Sequence, residues 1–227
     1  MFYCAGLTAD YAARPFETVE AHVTLLARLL AEARFERLVY LSSTRLYDSL
    51  GADGGREDDA LRLDPANPRS LYDLSKALGE TLCLNQSGGR AAVARLSGVY
   101  DWRPGAPGFL SEWLQKARAS RTVELDSATG VVRDYIHLDD AAAALRAILD
   151  SRESRIVNVA SGENLSNEDL AAIFARHGWR TSFARTAPRQ AAPVCDITRL
   201  RSLGMTPRSV GAVLDEALAR EDFREAR

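Results

Sequence analysis

The run Leu38-Val39-Tyr40-Leu41, passing directly into Ser42-Ser43-Thr44, constrains this chain more than any other stretch. It is short, β-rich and continuously apolar, with polar residues on either side, which is the pattern of a parallel strand buried on both faces. Such a strand needs helices above and below it, and the neighbouring sequence supplies them. Residues 15–33 predict a helix, with Pro15 in its first turn and Val19, Val23, Leu26, Leu29 and Leu30 at helical spacing. A second helix spans about 70–86, stopped by Gly88-Gly89. Ala91 to Leu96 is another short buried-strand pattern, and Met1 to Gly6 reads as the end of one. Strand, helix, strand, helix, strand is the rhythm of an α/β fold whose parallel sheet is joined by right-handed crossovers.

After Tyr100 the rhythm changes. Phe109 to Ala119 predicts a helix, Thr122 to Leu125 a short strand, and Arg133 to Asp140 leads into an alanine-rich helix over 141–150 that an aspartate is placed to cap. Arg155 to Ala160 is strand-like, and Ser166-Asn167-Glu168-Asp169 has the shape of a capping box opening a helix to His177. Asp196 is placed to cap a short helix closed by Gly204, and Pro207 to Ala219 supplies the last helix. Between strand 38–43 and helix 70–86 the expectation is a polar loop through Glu57-Asp58-Asp59 and a turn at residues 65–68. The chain thus divides into a regular portion, 1–100, and a mixed α/β remainder, 101–227, packed against the sheet or woven into it.

The carboxyl end of a parallel strand is where open α/β sheets bind ligands, so Ser42, Ser43 and Thr44 fall where chemistry is expected. Tyr72 and Lys76 are four residues apart and share one helix face. A lysine ammonium near a phenol favours the phenolate, moving a group with an unperturbed pKa of about 10 toward useful acid/base range. With Ser43 bonding the same substrate oxygen, the trio suits proton transfer coupled to hydride transfer at a carbinol carbon. The same Tyr/Lys spacing also arises where a half-buried aromatic sits beside a solvated charge. Other function classes are excluded more simply. A net charge of −2 with Lys and Arg spread along the chain favours neither nucleic acid nor an anionic membrane surface. Cys4, Cys83 and Cys195 lack metal-ligand spacing and are too few for a disulfide framework, so no metal site is expected, and the thiols read as reduced in a cytoplasmic protein. No apolar run reaches the roughly 20 residues of a membrane helix.

These segments together resemble the extended short-chain dehydrogenase/reductase family, the NAD-dependent epimerases and dehydratases acting on nucleotide-activated sugars. Ser42-Ser43-Thr44-Arg45-Leu46-Tyr47 is similar to the family's catalytic hydroxyl segment, and Tyr72-x-x-x-Lys76 to its hallmark. Arg95 to Tyr100 resembles the "RxxNVYG" segment, Arg133 to His137 "RDFIHV", Asn158 to Gly162 "NVGSG", and Asp196 to Pro207 the carboxyl-terminal "D…K…LG…P" pattern. The resemblance implies a partial Rossmann-like sheet with a small substrate lobe. It implies Tyr72 as acid/base, Lys76 lowering its pKa and holding the nicotinamide ribose, and Ser43 bonding the substrate oxygen. Ala5, Gly6 and Ser42 would join Tyr72 and Lys76 along NAD or NADP. Thr44, Ser97, Arg133 and Arg189 would meet the nucleotide sugar, Arg133 at its diphosphate, where a guanidinium fork suits phosphate. An ion pair of Arg133 with Asp139 or Asp140 is the structural alternative. Helices 15–33 and 70–86 offer the faces by which relatives form homodimers.

The departures are also informative. Ser97 replaces the family's usual asparagine, His22 stands where an asparagine near the cofactor is common, and Asp48 and Asp101 stand where glycine is usual. His22 reads as a helix-face histidine, and His137 and His177 as structural. Thr44 and Arg45 fill the two places where 4,6-dehydratases of the family carry an Asp-Glu pair, which points to epimerisation or oxidoreduction rather than loss of water. The family's G-x-x-G-x-x-G turn, which holds the pyrophosphate at a helix amino terminus, is not found. The expectation is therefore a chain lacking the first strand–helix units, of marginal stability alone. A binding module or pseudoenzyme that no longer takes NAD, or a gene fragment, stands beside the enzyme reading.

Overall fold

The computed structural model of the protein describes residues 1–220 and Phe223; residues 221–222 and 224–227 of the second portion lie outside the described residues. β1 (Phe2–Tyr3) is followed by one continuous helix built of α1 (Pro15–Val19), a π-helical turn (Glu20–Thr24) and α2 (Leu25–Glu32). β2 (Leu38–Ser43) runs into a 3-10 stretch (Thr44–Asp53), and α3 (Ser70–Gln86) leads to β3 (Ala91–Leu96). Next come β4 (Gly98–Tyr100), α4 (Phe109–Ala119), β5 (Thr122–Ala128), β6 (Val132–His137), α5 (Leu138–Asp150) and β7 (Ile156–Val159). They are followed by β8 (Asn164–Ser166), α6 (Asn167–Arg176), β9 (Arg180–Arg185), α7 (Thr198–Ser202) and α8 (Val210–Ala219).

The main sheet has the order β1-β2-β3-β7, all parallel. β2 is central in it and covered on both faces, which is why its sequence shows no polar alternation. Leu38 and Tyr40 pack with Leu26, Cys83 and Val93 on one side, and Val39 packs with Ala92, Ala144 and Ile148 on the other. The second half is woven into this sheet through β7, with α5 packed across β2, β3 and β7. A further core joins α4, α6 and α8 around Trp113, stacked on Phe174 at 4.8 Å. Among the described residues no helix is long and apolar enough to cross a membrane.

Several local expectations need correction. Residues 44–53 form a 3-10 stretch rather than an open loop, because the side chain of Ser43 accepts the amide N–H of Arg45 and starts a turn at the strand's end. No aspartate caps α5. β6 passes straight into that helix, so His137 occupies the cap and its Nδ1 accepts the Asp139 amide at 3.2 Å. Asp139 and Asp140 lie in the first turn, where negative charge suits the helix amino terminus. β4, β8 and β9, each short or polar, carry too little periodicity to be read from sequence. By contrast, the capping box at Ser166 and Asp169 forms with both reciprocal bonds.

The helices that carry the site approach the sheet closely. A Cβ on Gly79 of α3 would lie 2.3 Å from the Tyr40 hydroxyl and 3.1 Å from the His22 carbonyl, so only glycine lets α3, β2 and the π turn meet there. Tyr3 and Tyr40 donate to the Ala21 and His22 carbonyls at 2.5 and 3.5 Å, fixing the π turn against the strands.

Candidate active site

The carboxyl ends of β1, β2 and β3 open into a cavity of about 490 Å³. Ser43 lies at the end of β2, and α3 projects Tyr72 and Lys76 from one face toward it. All three side chains line the cavity and are largely removed from solvent, Tyr72 at 3% exposure, Lys76 at 6% and Ser43 at 9%. The side chains of Ser43 and Thr8 face the Tyr72 hydroxyl and favour its charged form. The Lys76 ammonium donates to the Leu41 carbonyl at 2.9 Å and lies 5.9 Å from the Tyr72 ring centroid.

Burial sets the electrostatics of the trio. It pushes the Lys76 ammonium down to about 8, against the pull of Glu80 one turn further along α3. Burial raises Tyr72 above its ordinary value; Ser43, the Arg45 guanidinium and Thr8 act in the opposite direction, while Asp73 reinforces the rise. Lys76 spends its contact on the Leu41 carbonyl, and Arg45 is the cation nearer the ring, at 4.5 Å.

His22 supports this arrangement from behind. It is buried in the π turn, edge-on to Tyr72 at 5.4 Å. The Leu7 amide donates to its Nε2 at 3.2 Å, so Nδ1 carries the proton and donates to Ser75 Oγ at 2.8 Å. Ser75 in turn donates to the Tyr72 carbonyl at 2.9 Å. Burial and the charge of Lys76 hold His22 down to about 4, so the ring is neutral near pH 7. The helix-face assignment was thus too weak: His22 ties the β1–α1 loop to α3.

Of the other expected residues, Gly6, Ser42, Thr44, Ser97 and Arg133 line the same cavity. Ser42 donates to Glu80 at 2.6 Å, and Thr44 to the Leu96 carbonyl at 3.3 Å. The acids proposed as structural partners of Arg133 are engaged elsewhere, Asp139 with Arg103 and Asp140 with Arg208, while Arg133 bonds the Val132 carbonyl. Two assignments do not hold. Ala5, beyond the end of β1, packs against the core that contains Tyr3 and Leu26, while Cys4 and Gly6 line the cavity. Arg189 lies outside the cavity and clamps the start of α6, bonding Asp169 at 2.5 Å and Ser166 and the Asn164 carbonyl at 3.2 Å. Sequence reading missed Thr8, Tyr11 and Asp134. Asp134 is buried and accepts from Ser161 and Gly162, and burial lifts it to about 6. Only the "RDFIHV"-like segment pointed toward it; Thr8 and Tyr11 carry no periodic signal.

The sequence pattern of the NAD dependent epimerase/dehydratase family matches residues 2–160. The chain is similar to a dTDP-glucose 4,6-dehydratase of Streptomyces griseus, 29% identical over 139 residues, covering 60% of this chain and 41% of that protein. It is also similar to a putative UDP-glucose 4-epimerase of Methanocaldococcus jannaschii, 29% identical over 153 residues, covering 63% and 50%. The chain thus spans about half the length of the curated relatives it matches. Among solved structures, MoeE5 in complex with UDP-glucose and NAD superposes with a TM-score of 0.78 at 26% identity, covering 99% of this chain and 79% of that one.

The depressed His22 has a consequence for stability. The unfolded chain binds a proton there between about pH 4 and 6.5 that the folded chain does not, so stability rises with pH across that window and is lost on acidification. His22→Asn, which keeps a polar side chain but cannot titrate, should flatten the pH dependence of the urea midpoint between those values. An unchanged slope would place the acid-sensitive group elsewhere.

Proposed function

The chain belongs to the NAD dependent epimerase/dehydratase family, and from that premise we propose that it acts on a nucleotide-activated sugar, as an epimerase or oxidoreductase using NAD or NADP. The observation that carries the reading is the convergence of Ser43, Tyr72 and Lys76 in one cavity at the carboxyl ends of parallel strands. In it, Tyr72 moves the proton of a sugar hydroxyl and Ser43 bonds the same oxygen. Arg133, free of the α5 acids, meets the diphosphate.

The residues present fit the nicotinamide ribose end of the cofactor. Gly6 lines the cavity beside the Lys76 ammonium, and a Cβ there would stand 2.9 Å from His22 Nε2 and 3.3 Å from Lys76 Nζ, so the bare backbone is what lets those two side chains pack at the cavity wall. Lys76 would hold the ribose hydroxyls, with Gly6, Ser42 and Thr8 along it. When bound, NAD(P) supplies the hydride acceptor; the chain's own groups orient the carbinol and carry its proton. Thr44 and Arg45 give no acid/base pair for eliminating water, which favours epimerisation or oxidoreduction over dehydration.

The same reading places the protein in the cytoplasm as a homodimer. Phe16, Val19 and Leu25 on the first helix and Leu78 and Leu84 on α3 are large apolar side chains left exposed, Phe16 at 86%. A second copy covering these faces would remove them from water. Phe16→Asp should then shift sedimentation from dimer to monomer; a wild-type chain that sediments as a monomer rejects the dimer.

Calorimetry tests the cofactor assignment. NAD⁺ or NADP⁺ should bind with a Kd in the micromolar range, about −8 kcal/mol. Tyr72→Phe should keep that affinity while turnover of a UDP-sugar falls by roughly 10²–10⁴-fold. Binding of neither cofactor, or undiminished turnover in the variant, would reject the assignment.

A further inference from the structure

Arg45 sits in the cavity wall, held by contacts that the proton-transfer trio does not explain. Its guanidinium carbon lies 4.5 Å from the Tyr72 ring centroid and 5.3 Å from that of Tyr11, and the two rings are themselves 5.3 Å apart. The three groups form a triangle that presents the cation to the face of the Tyr72 phenol. The Thr18 hydroxyl holds Tyr11 in place through the Tyr11 carbonyl at 3.2 Å, so the loop before α1 backs the cation. At its other end, Arg45 donates its amide N–H to Ser43 Oγ at 3.2 Å. One residue therefore touches two members of the trio.

This charge is held by a loose ion pair and by the Tyr11 side chain rather than by a hydrogen-bonded carboxylate. The nearest carboxylate, Asp73 Oδ1, stands 3.9 Å away, beyond hydrogen-bond distance. Lys76 is farther from the Tyr72 ring, at 5.9 Å, and donates to a carbonyl. His22, edge-on at 5.4 Å, is neutral near pH 7. The Ser43 and Thr8 side chains face the phenol oxygen, and Tyr40 reaches it only at longer range.

We propose that Arg45 is a positioning residue that acts through Tyr72, its guanidinium on the ring face favouring the phenolate, the form of Tyr72 that takes the proton of a sugar hydroxyl. A cation over an aromatic face is attracted by its π density, and a phenolate carries more of that density than a phenol. The proton leaves the substrate oxygen for the Tyr72 oxygen and returns by the same route, so Arg45 changes the poise of the transfer without exchanging atoms. This role in the reaction rests on the function proposed above; the effect on Tyr72 does not.

The test is therefore made on the folded chain without substrate. The protein is labelled with 3-fluorotyrosine, whose ring fluorine makes the phenol more acidic, and titrated by fluorine NMR with the Tyr72 signal assigned by its loss in Tyr72→Phe. Arg45→Gln should raise the Tyr72 midpoint by about one unit, a tenfold loss of phenolate at a given pH. Arg45→Lys, keeping the charge, should restore most of that loss. Arg45→Met retains the packed stem without the charge, should match Arg45→Gln, and serves in its place if the glutamine variant fails to fold. An unchanged midpoint in the uncharged variants, or a lysine variant as displaced as they are, overturns the inference and leaves the Ser43–Tyr72–Lys76 assignment standing. That assignment fails separately, by absence of cofactor binding.

Discussion

The buried pair between Glu80 of α3 and Arg95 of β3 is the contact on which the site depends. Arg95 donates Nε to Glu80 Oε1 at 2.9 Å and its terminal nitrogen to Oε2 at 2.7 Å, a two-point fork almost wholly out of water. Ser42 of β2 adds a third donor at 2.6 Å. The network continues through Arg95 to the Tyr47 hydroxyl, from Tyr47 to Asn158 of β7, and from Asn158 to the Gly55 and Asp196 carbonyls. Removing one partner of such a pair leaves a buried charge uncompensated, typically at a cost of about 3–5 kcal/mol. Geometry is what the pair contributes: it fixes one helix against β2 and β3, and through Tyr47 the network reaches β7.

Tyr72, Lys76 and Glu80 recur every four residues on α3, so a single helix row sets the height of the whole site. Glu80 locks to β2 and β3, Lys76 reaches the Leu41 carbonyl, and Tyr72 then falls opposite Ser43. Gly79 permits the close approach on the adjoining face, and the His22–Ser75–Tyr72 chain secures the other side. The same burial that fixes these groups pushes the phenol up and the ammonium down. A cation seated on the ring, which Arg45 provides, is a physical answer to that penalty.

Much of this was legible in the sequence, for identifiable reasons. β2, β3, α3 and α4 have the boundaries that periodicity and turn residues indicate, because each element buries a strongly patterned face. Ser43, Tyr72 and Lys76 stand out through their hydroxyl-at-strand-end and four-residue spacings, and the fold brings them to one cavity. Arg133 and Ser97 were found only by resemblance. What escaped depends on tertiary placement. The capping of α5 by His137 follows from a strand running into a helix without a loop, and Arg189 looked like a phosphate ligand until Asp169 was seen to claim it. Thr8 and Tyr11 lie in an irregular segment whose fold over Tyr72 no local pattern encodes.

The most direct test of the central claim is optical. NAD⁺ and a UDP-hexose are mixed with the purified chain and the reduced-nicotinamide absorbance near 340 nm is followed in a single turnover, using sugar deuterated at each ring carbinol in turn. The account expects a transient that slows with deuterium at one carbinol carbon only, the one whose hydroxyl proton Tyr72 takes. Absorbance that never rises with both ligands bound, or a transient insensitive to deuterium at every position, would contradict it.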